Sequence, residues 1–241
     1  MTGQLKFGGR KFNPTIIMLS DMKNIVLDLE WLSTAENFPV YYFYRGLYLN
    51  DIDKSIMLNH NIRYDITIIH PYSLGVEMPK TRGHYHPIVS GTNITYPEMY
   101  QVLSGKACFL MQREENGEIV DVIMVHASEG DIVISPPNYG HIIINDSRKT
   151  LKTCNWMCNN LTSIYDPIDR RAGGAYYKLV DGKIIQNINY EKVPILRFIR
   201  SIDKKQFGIK KNIYELIKNP QILDFIVKPQ RNMNMFKFVE Q

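Results

Sequence analysis

The chain has 241 residues, 44% of them hydrophobic and 22% charged, which excludes a disordered protein and leaves room for one full core with appendages. Its formal charge of +5 sits at one end: residues 192–241 hold 11 Lys and Arg against four Asp and Glu, so the other 191 residues sum to −2. No aromatic-basic reading motif accompanies that cationic tail, which speaks against a nucleic-acid partner. No run approaches the length of a membrane span, and no basic then apolar stretch opens the chain, so neither membrane insertion nor secretion is expected. Cys108, Cys154 and Cys158 are odd in number and lack finger spacing, which points to a reducing cytoplasm.

Residues 1–38 read as an N-terminal arm. Lys11 to Leu19 has the character of an edge strand interrupted early by Pro14. Ser20 stands where a helix cap is wanted, whereas Ile25, Leu27, Leu29 and Trp31 alternate, so helix and strand compete over the rest of the arm. From Pro39 the pattern changes to short apolar or aromatic runs: 40–44, 63–69, 100–103, 107–112, 119–125, 131–134, 142–144 and 151–157. Gly75, Gly105, Gly117, Gly130 and Pro136-Pro137-Asn138 punctuate them. This spacing predicts an all-β, antiparallel sandwich or barrel over residues 39–190. Asn116-Gly117 suits a type I′ hairpin, and residues 172–180 and 183–185 read as another hairpin around Asp181-Gly182. Residues 191–241 form a basic extension with one short helix near Ile213–Lys218, capped by Asn212 and stopped by Pro220.

Two stretches within the β region carry chemistry. His84 and His86 are two apart, so extended backbone presents both imidazoles to one face. Glu98 follows on the next strand-like run, and His141 comes after the Pro136-Pro137-Asn138 turn. Three histidines and one carboxylate are a complete donor set for a divalent transition metal with positions left open.

The spacing around these residues resembles the cupin pattern. His84, His86, Glu98 and Gly105 match the first cupin motif, and Gly130, Pro136, His141 and Asn145 match the second. Asn138 stands where glycine is usual, and the gap from His86 to Glu98 is longer than the general pattern. Within cupins the sequence is similar to the glucose-6-phosphate isomerases of cupin type. The matching pieces are Leu19-Ser20-Asp21-Met22, Pro39-Val40-Tyr41-Tyr42, Tyr64-Asp65-Ile66-Thr67, Lys80 to His86, Pro97-Glu98-Met99-Tyr100, Leu103 to Lys106 and Pro136 to His141. Together they cover roughly residues 19–190. The resemblance implies a cupin jelly roll with an N-terminal strand extension and a short C-terminal helical extension. It also implies one divalent metal per chain (iron, manganese, nickel or zinc) on His84, His86, Glu98 and His141, and interconversion of glucose 6-phosphate and fructose 6-phosphate in glycolysis or gluconeogenesis. Cupins often pair, so a homodimer is expected.

Such an isomerisation moves a hydrogen between C2 and C1 and a proton between their oxygens. Glu98 is the leading base, and Tyr100, two residues on and on the same strand face, is placed to hydrogen-bond the sugar or relay a proton. Thr81 and the Gly83 N–H precede the ligands as phosphate donors. Thr67 and Tyr42 are carried over from the resemblance as further phosphate or sugar contacts. A hydride shift remains the alternative to a cis-enediolate. A ferrous-iron cupin dioxygenase and a non-catalytic sugar-binding cupin are the rival functions. His60, His70 and His126 fall outside both motifs and read as surface or packing residues.

Overall fold

Short extended runs separated by turns become short strands. The computed structural model describes residues 3–240; residues 1, 2 and 241, at the outer ends of the expected arm and tail, lie outside the described residues. The arm supplies β1 (Leu5–Phe7), β2 (Arg10–Phe12) and β3 (Thr15–Met18), and β4 (Pro39–Tyr44) and β5 (Ile62–Ile69) follow. Next come β6 (Glu98–Ser104), β7 (Lys106–Glu115), β8 (Glu118–Ser128), β9 (Ile132–Ser135), β10 (Tyr139–Asn145) and β11 (Leu151–Cys158). A hairpin of β12 (Tyr176–Lys178) and β13 (Ile184–Gln186) precedes β14 (Arg197–Arg200).

Six strands pair antiparallel in the order β3-β4-β5-β11-β6-β9. A second sheet runs β10-β7-β8-β14, antiparallel except for β14, which lies parallel to β8. The sheets share one core. Phe109, Met111, Ile123 and Val125 from the four-stranded sheet belong to the same buried cluster as Tyr100, Val102 and Val133 from the six-stranded one. The result is the expected all-β cupin jelly roll. Asn116 (φ 53°) and Gly117 (φ 84°) turn β7 into β8 with both residues left-handed, as a type I′ turn requires.

A second apolar cluster lies on the far side of the six-stranded sheet. There Tyr64, Ile66, Met99, Cys154 and Trp156 meet Ile213, Tyr214, Leu216, Ile217, Phe225 and Ile226 of the tail. The Trp156 indole N–H donates to the Ile213 carbonyl at 2.7 Å, and the Ile213 N–H donates to Gln101 Oε1 at 2.9 Å. Thus the tail is a covering layer. The single expected tail helix is instead a chain of short turns: 3-10 at Lys204–Phe207, Ile213–Lys218, Pro220–Leu223, Pro229–Arg231 and Met233–Glu240, and α at Asp224–Val227. Asn212 does cap the second of these through Tyr214 N–H (3.0 Å), but Pro220 and Pro229 interrupt continuation.

One local expectation gives way, one open choice is settled and one helix is new. Ser20 is not a cap; the Leu19–Met22 helix begins at Met18, whose N–H donates to Asp21, while Ser20 N–H donates to Asn37. Where helix and strand competed over Ile25–Trp31, the chain forms a 3-10 turn (Lys23–Ile25) and then a helix (Leu29–Thr34) capped by Asp28. The helix Asp51–Asn59, capped by Asn50 through Asp53 N–H, was not foreseen.

Candidate metal centre and its pocket

Residues 79–86 form an extended ribbon along β10 rather than a full strand. Thr81 N–H donates to the Ile143 carbonyl (2.8 Å), and His84 and His141 exchange both backbone hydrogen bonds (3.2 and 3.0 Å). That bridge sets the first histidine pair beside His141. β6 carries Glu98 and Tyr100 on its inner face, and β10 carries His141. Gly83 has φ +76°, and a Cβ there would stand 2.5 Å from Ile142 Cγ1, so the close approach of the ribbon needs glycine.

One ligand-type atom from each of His84, His86, Glu98 and His141 lies within 4.8 Å of all the others. His84 Nε2 is 3.2 Å from His86 Nε2, and Glu98 Oε2 is 3.3 Å from His86 Nε2 and 3.4 Å from His141 Nε2. The distal nitrogens are held from behind. His86 Nδ1 lies 2.8 Å from the Tyr96 carbonyl, which only accepts, so Nδ1 carries the proton and Nε2 is left bare. His141 Nδ1 meets Ser135 Oγ at 3.0 Å.

Charge follows the same arrangement. Burial, together with the neighbouring imidazoles His141 and His86, holds His84 well below the usual histidine range. Burial likewise lowers His141, against the pull of Glu98. Burial alone would raise Glu98, but His141 and His86 overcome it and keep the carboxyl well below the usual range. Neutral His84 and His141 beside the Glu98 carboxylate are in the protonation state that a divalent cation takes. Glu98 Oε2 is buried with no hydrogen-bond partner. An orphaned carboxylate oxygen facing three imidazole nitrogens fits a resident metal.

The pocket above these groups is lined by Thr67, Thr81, Gly83 and Tyr100, as expected, and by further residues that the sequence did not single out. Tyr42 is a correction. In β4, alternation turns Tyr41 and Phe43 into the pocket and Tyr42 to the opposite face, where it meets the His70 ring edge-on at 5.2 Å. Among the unforeseen residues, Arg45 lies over the Phe43 ring (4.4 Å) at the exposed rim. Asp65 is buried, accepts from Gly46 N–H (2.8 Å) and from Arg63 Nε, and is pushed up to about 6 by burial against the pull of Arg63. Asn155 and Tyr165 complete the polar wall. Strand parity was the available signal for Tyr41, Asp65 and Asn155. Nothing in the pattern marked Arg45. Tyr100 Oη lies 2.8 Å from His141 Nε2. The long segment between His86 and Glu98 folds back on itself, with Val89 N–H to Ile94 O at 2.8 Å, and is pinned by Thr95 and Asn138. Asn138 has φ 69°, which explains why glycine suits that position and why asparagine is tolerated.

Residues 18–195 match the family described as Glucose-6-phosphate isomerase (GPI). The chain belongs to that family. It is similar to the glucose-6-phosphate isomerase of Thermococcus litoralis, 30% identical over 133 residues, covering 54% of this chain and 62% of that protein. The glucose-6-phosphate isomerase of Pyrococcus abyssi (strain GE5 / Orsay) is 31% identical over 130 residues, 53% of this chain and 60% of that one. The chain therefore spans about three fifths of the length of the curated relatives it matches. Among solved structures it is similar to oxalate decarboxylase from Bacillus subtilis, with a TM-score of 0.36 and 17% identity over 51% of this chain and 27% of that one. It is also similar to vicilin from Corylus avellana (hazelnut), with a TM-score of 0.38 and 12% identity over 52% and 32%. The GPI-family match takes in the ligand ribbon, β6, β10 and the whole pocket, and stops where the tail begins.

Proposed function

We propose that this member of the GPI family is a metal-dependent aldose–ketose isomerase acting on glucose 6-phosphate and fructose 6-phosphate. The observation that carries the reading is the unpartnered Glu98 Oε2 facing three imidazoles on the floor of a pocket walled by hydroxyls, an amide and two arginines. His84, His86, Glu98 and His141 would hold one divalent ion, of the iron, manganese, nickel or zinc group. Held there, such an ion would polarise the sugar carbonyl and support the charge that develops on O1 and O2.

The chain's own groups do the rest. Thr81 Oγ1 accepts from Ile143 N–H (3.0 Å), which aims its hydroxyl proton outward as a phosphate donor. The Gly83 N–H, on the same ribbon, is a second phosphate donor, and Arg45 at the rim supplies countercharge. Thr67 hydrogen-bonds the sugar from the facing wall. Glu98 takes the C2 proton, and Tyr100, packed between His141 and Phe109, passes protons between the oxygens. The walls disfavour the dioxygenase reading, because an oxygen-activating pocket for an apolar substrate would not be lined by Arg45, Asp65, Thr67, Thr81 and Asn155. No helix among the described residues is long and apolar enough to cross a membrane. We further place the chain in a reducing cytoplasm, its three cysteines being unpaired, and expect a homodimer.

A coupled assay from fructose 6-phosphate to glucose 6-phosphate, with and without chelator, tests this. Turnover that is lost on chelation and restored by one ion per chain is expected; binding without turnover in the metal-loaded protein would leave a sugar-binding cupin instead. Deuterium placed at C2 of glucose 6-phosphate, with the reaction run toward the ketose, separates the two hydrogen routes: Glu98 as base washes the label into solvent, whereas a hydride shift retains it at C1.

A further inference from the structure

Cys108, His126 and Asp146 meet on the face of the four-stranded sheet opposite to the pocket. Cys108 and His126 are direct register partners across β7 and β8. Asp146 follows β10 at once and is held there by its N–H to the Lys106 carbonyl at 2.9 Å. Cys108 Sγ is 2.9 Å from His126 Nδ1 and 3.2 Å from Asp146 Oδ2, and His126 Nδ1 is 3.2 Å from the same oxygen. Lys178 Nζ approaches the other carboxylate oxygen, Oδ1, at 3.2 Å, and Phe198 stacks on the imidazole at 5.9 Å.

Three short edges among three donor atoms call for three bridging protons. The thiol brings one, Nδ1 at most one, and a carboxylate paired with the Lys178 ammonium none. Two protons must then serve three edges, so at least one of them is shared between two acceptors. A cation at the centre satisfies all three edges together. Around a tetrahedral zinc, with Zn–S near 2.3 Å and Zn–N or Zn–O near 2.0 Å, neighbouring donor atoms stand roughly 3.3–3.5 Å apart, so each edge need open by no more than about 0.6 Å.

We propose that Cys108, His126 and Asp146 form a second metal site, binding a borderline-soft divalent cation of the zinc class and stapling β7, β8 and the end of β10. The His126 side chain is half exposed, which leaves the fourth position to water. The thiolate selects zinc or cobalt over magnesium or manganese. Binding replaces S–H by a metal–sulfur bond and releases one proton, with no change of oxidation state. Burial keeps the free Cys108 thiol protonated, so affinity rises with pH. This site is independent of the isomerase reading, since none of its residues lines the pocket.

The pocket ligands include no sulfur, and that difference gives the test. The full chain, its pocket centre already loaded, is titrated with cobalt(II) chloride under reducing conditions. A second ion per chain is expected, with a thiolate-to-cobalt charge-transfer band. Cys108→Ser should abolish the band, and His126→Gln, at a half-exposed position that leaves the fold intact by thermal melt, should weaken binding at least about tenfold. Absence of the band in the wild-type protein overturns the proposal. So does a band of unchanged intensity and affinity in His126→Gln, or one that survives in Cys108→Ser.

Discussion

The two faces of the six-stranded sheet are made from the same strands and could hardly differ more. Along β5, β6 and β11, Arg63, Asp65 and Thr67, Glu98 and Tyr100, and Asn155 and Met157 point into the pocket. Tyr64 and Ile66, Met99, and Cys154, Trp156 and Cys158 point outward from the positions between them, into the layer formed with the tail. One residue of register separates a polar pocket wall from an apolar packing face. The inner face accepts buried charge because metal-type donors and ion pairs compensate it, whereas the outer face is apolar enough to require a cover.

If that division is right, inner-face changes should alter chemistry and leave the fold, and outer-face changes should do the reverse. The largest effect is expected from Glu98→Gln, which keeps the shape of the side chain but removes the ionised oxygen. Turnover should fall at least about a hundredfold, and normal turnover at full metal content by elemental analysis would remove Glu98 from its role. On the outer face, Trp156→Ala deletes a fully buried indole and its hydrogen bond to Ile213, at about 3–5 kcal/mol, or roughly 10 °C in Tm. Metal content at temperatures where the variant is folded should be unchanged; loss of the ion there would mean that the faces are not separable.

Asp65 sharpens the comparison, since it is an inner-face group that lowers stability. Its folded-state value of about 6 lies above the ordinary 3.8, so the folded protein binds the extra proton between those values. Stability contributed by the neutral form is then complete below about pH 4 and lost as pH rises through about 6, on the order of 2–3 kcal/mol in all. Denaturation midpoints from pH 4 to pH 7 should fall more steeply for the wild type than for Asp65→Asn, and parallel curves would contradict this. The smallest effect belongs to Arg45→Ala at the rim: KM for the sugar phosphate should rise roughly tenfold with kcat nearly unchanged. A selective loss of kcat would instead place Arg45 at the reacting atoms.

These residues also show what could be read beforehand. The convergence of His84, His86, Glu98 and His141 was legible because a metal-type donor set demands particular side chains at particular spacings, and alternation exposed most strands. Tyr42 was misplaced by one residue, because an aromatic run such as Val40 to Tyr44 is apolar on both sides and hides its own parity. Arg45 was invisible because a rim cation depends on three-dimensional proximity alone. The Asp51–Asn59 helix had a readable cap in Asn50 but a weak apolar stripe, with Ile52 and Leu58 exposed. The tail's turns could not be inferred from its composition, since their packing partners lie on strands more than fifty residues earlier.

Trp156 and its neighbours are covered in large part by residues beyond 208, which follow every strand in the chain. While the chain is being made, the barrel strands therefore emerge with a greasy wall only partly covered, and the closing stretch arrives after everything it must shield. A message cut short before that stretch would yield a protein carrying every pocket ligand and a strong tendency to clump.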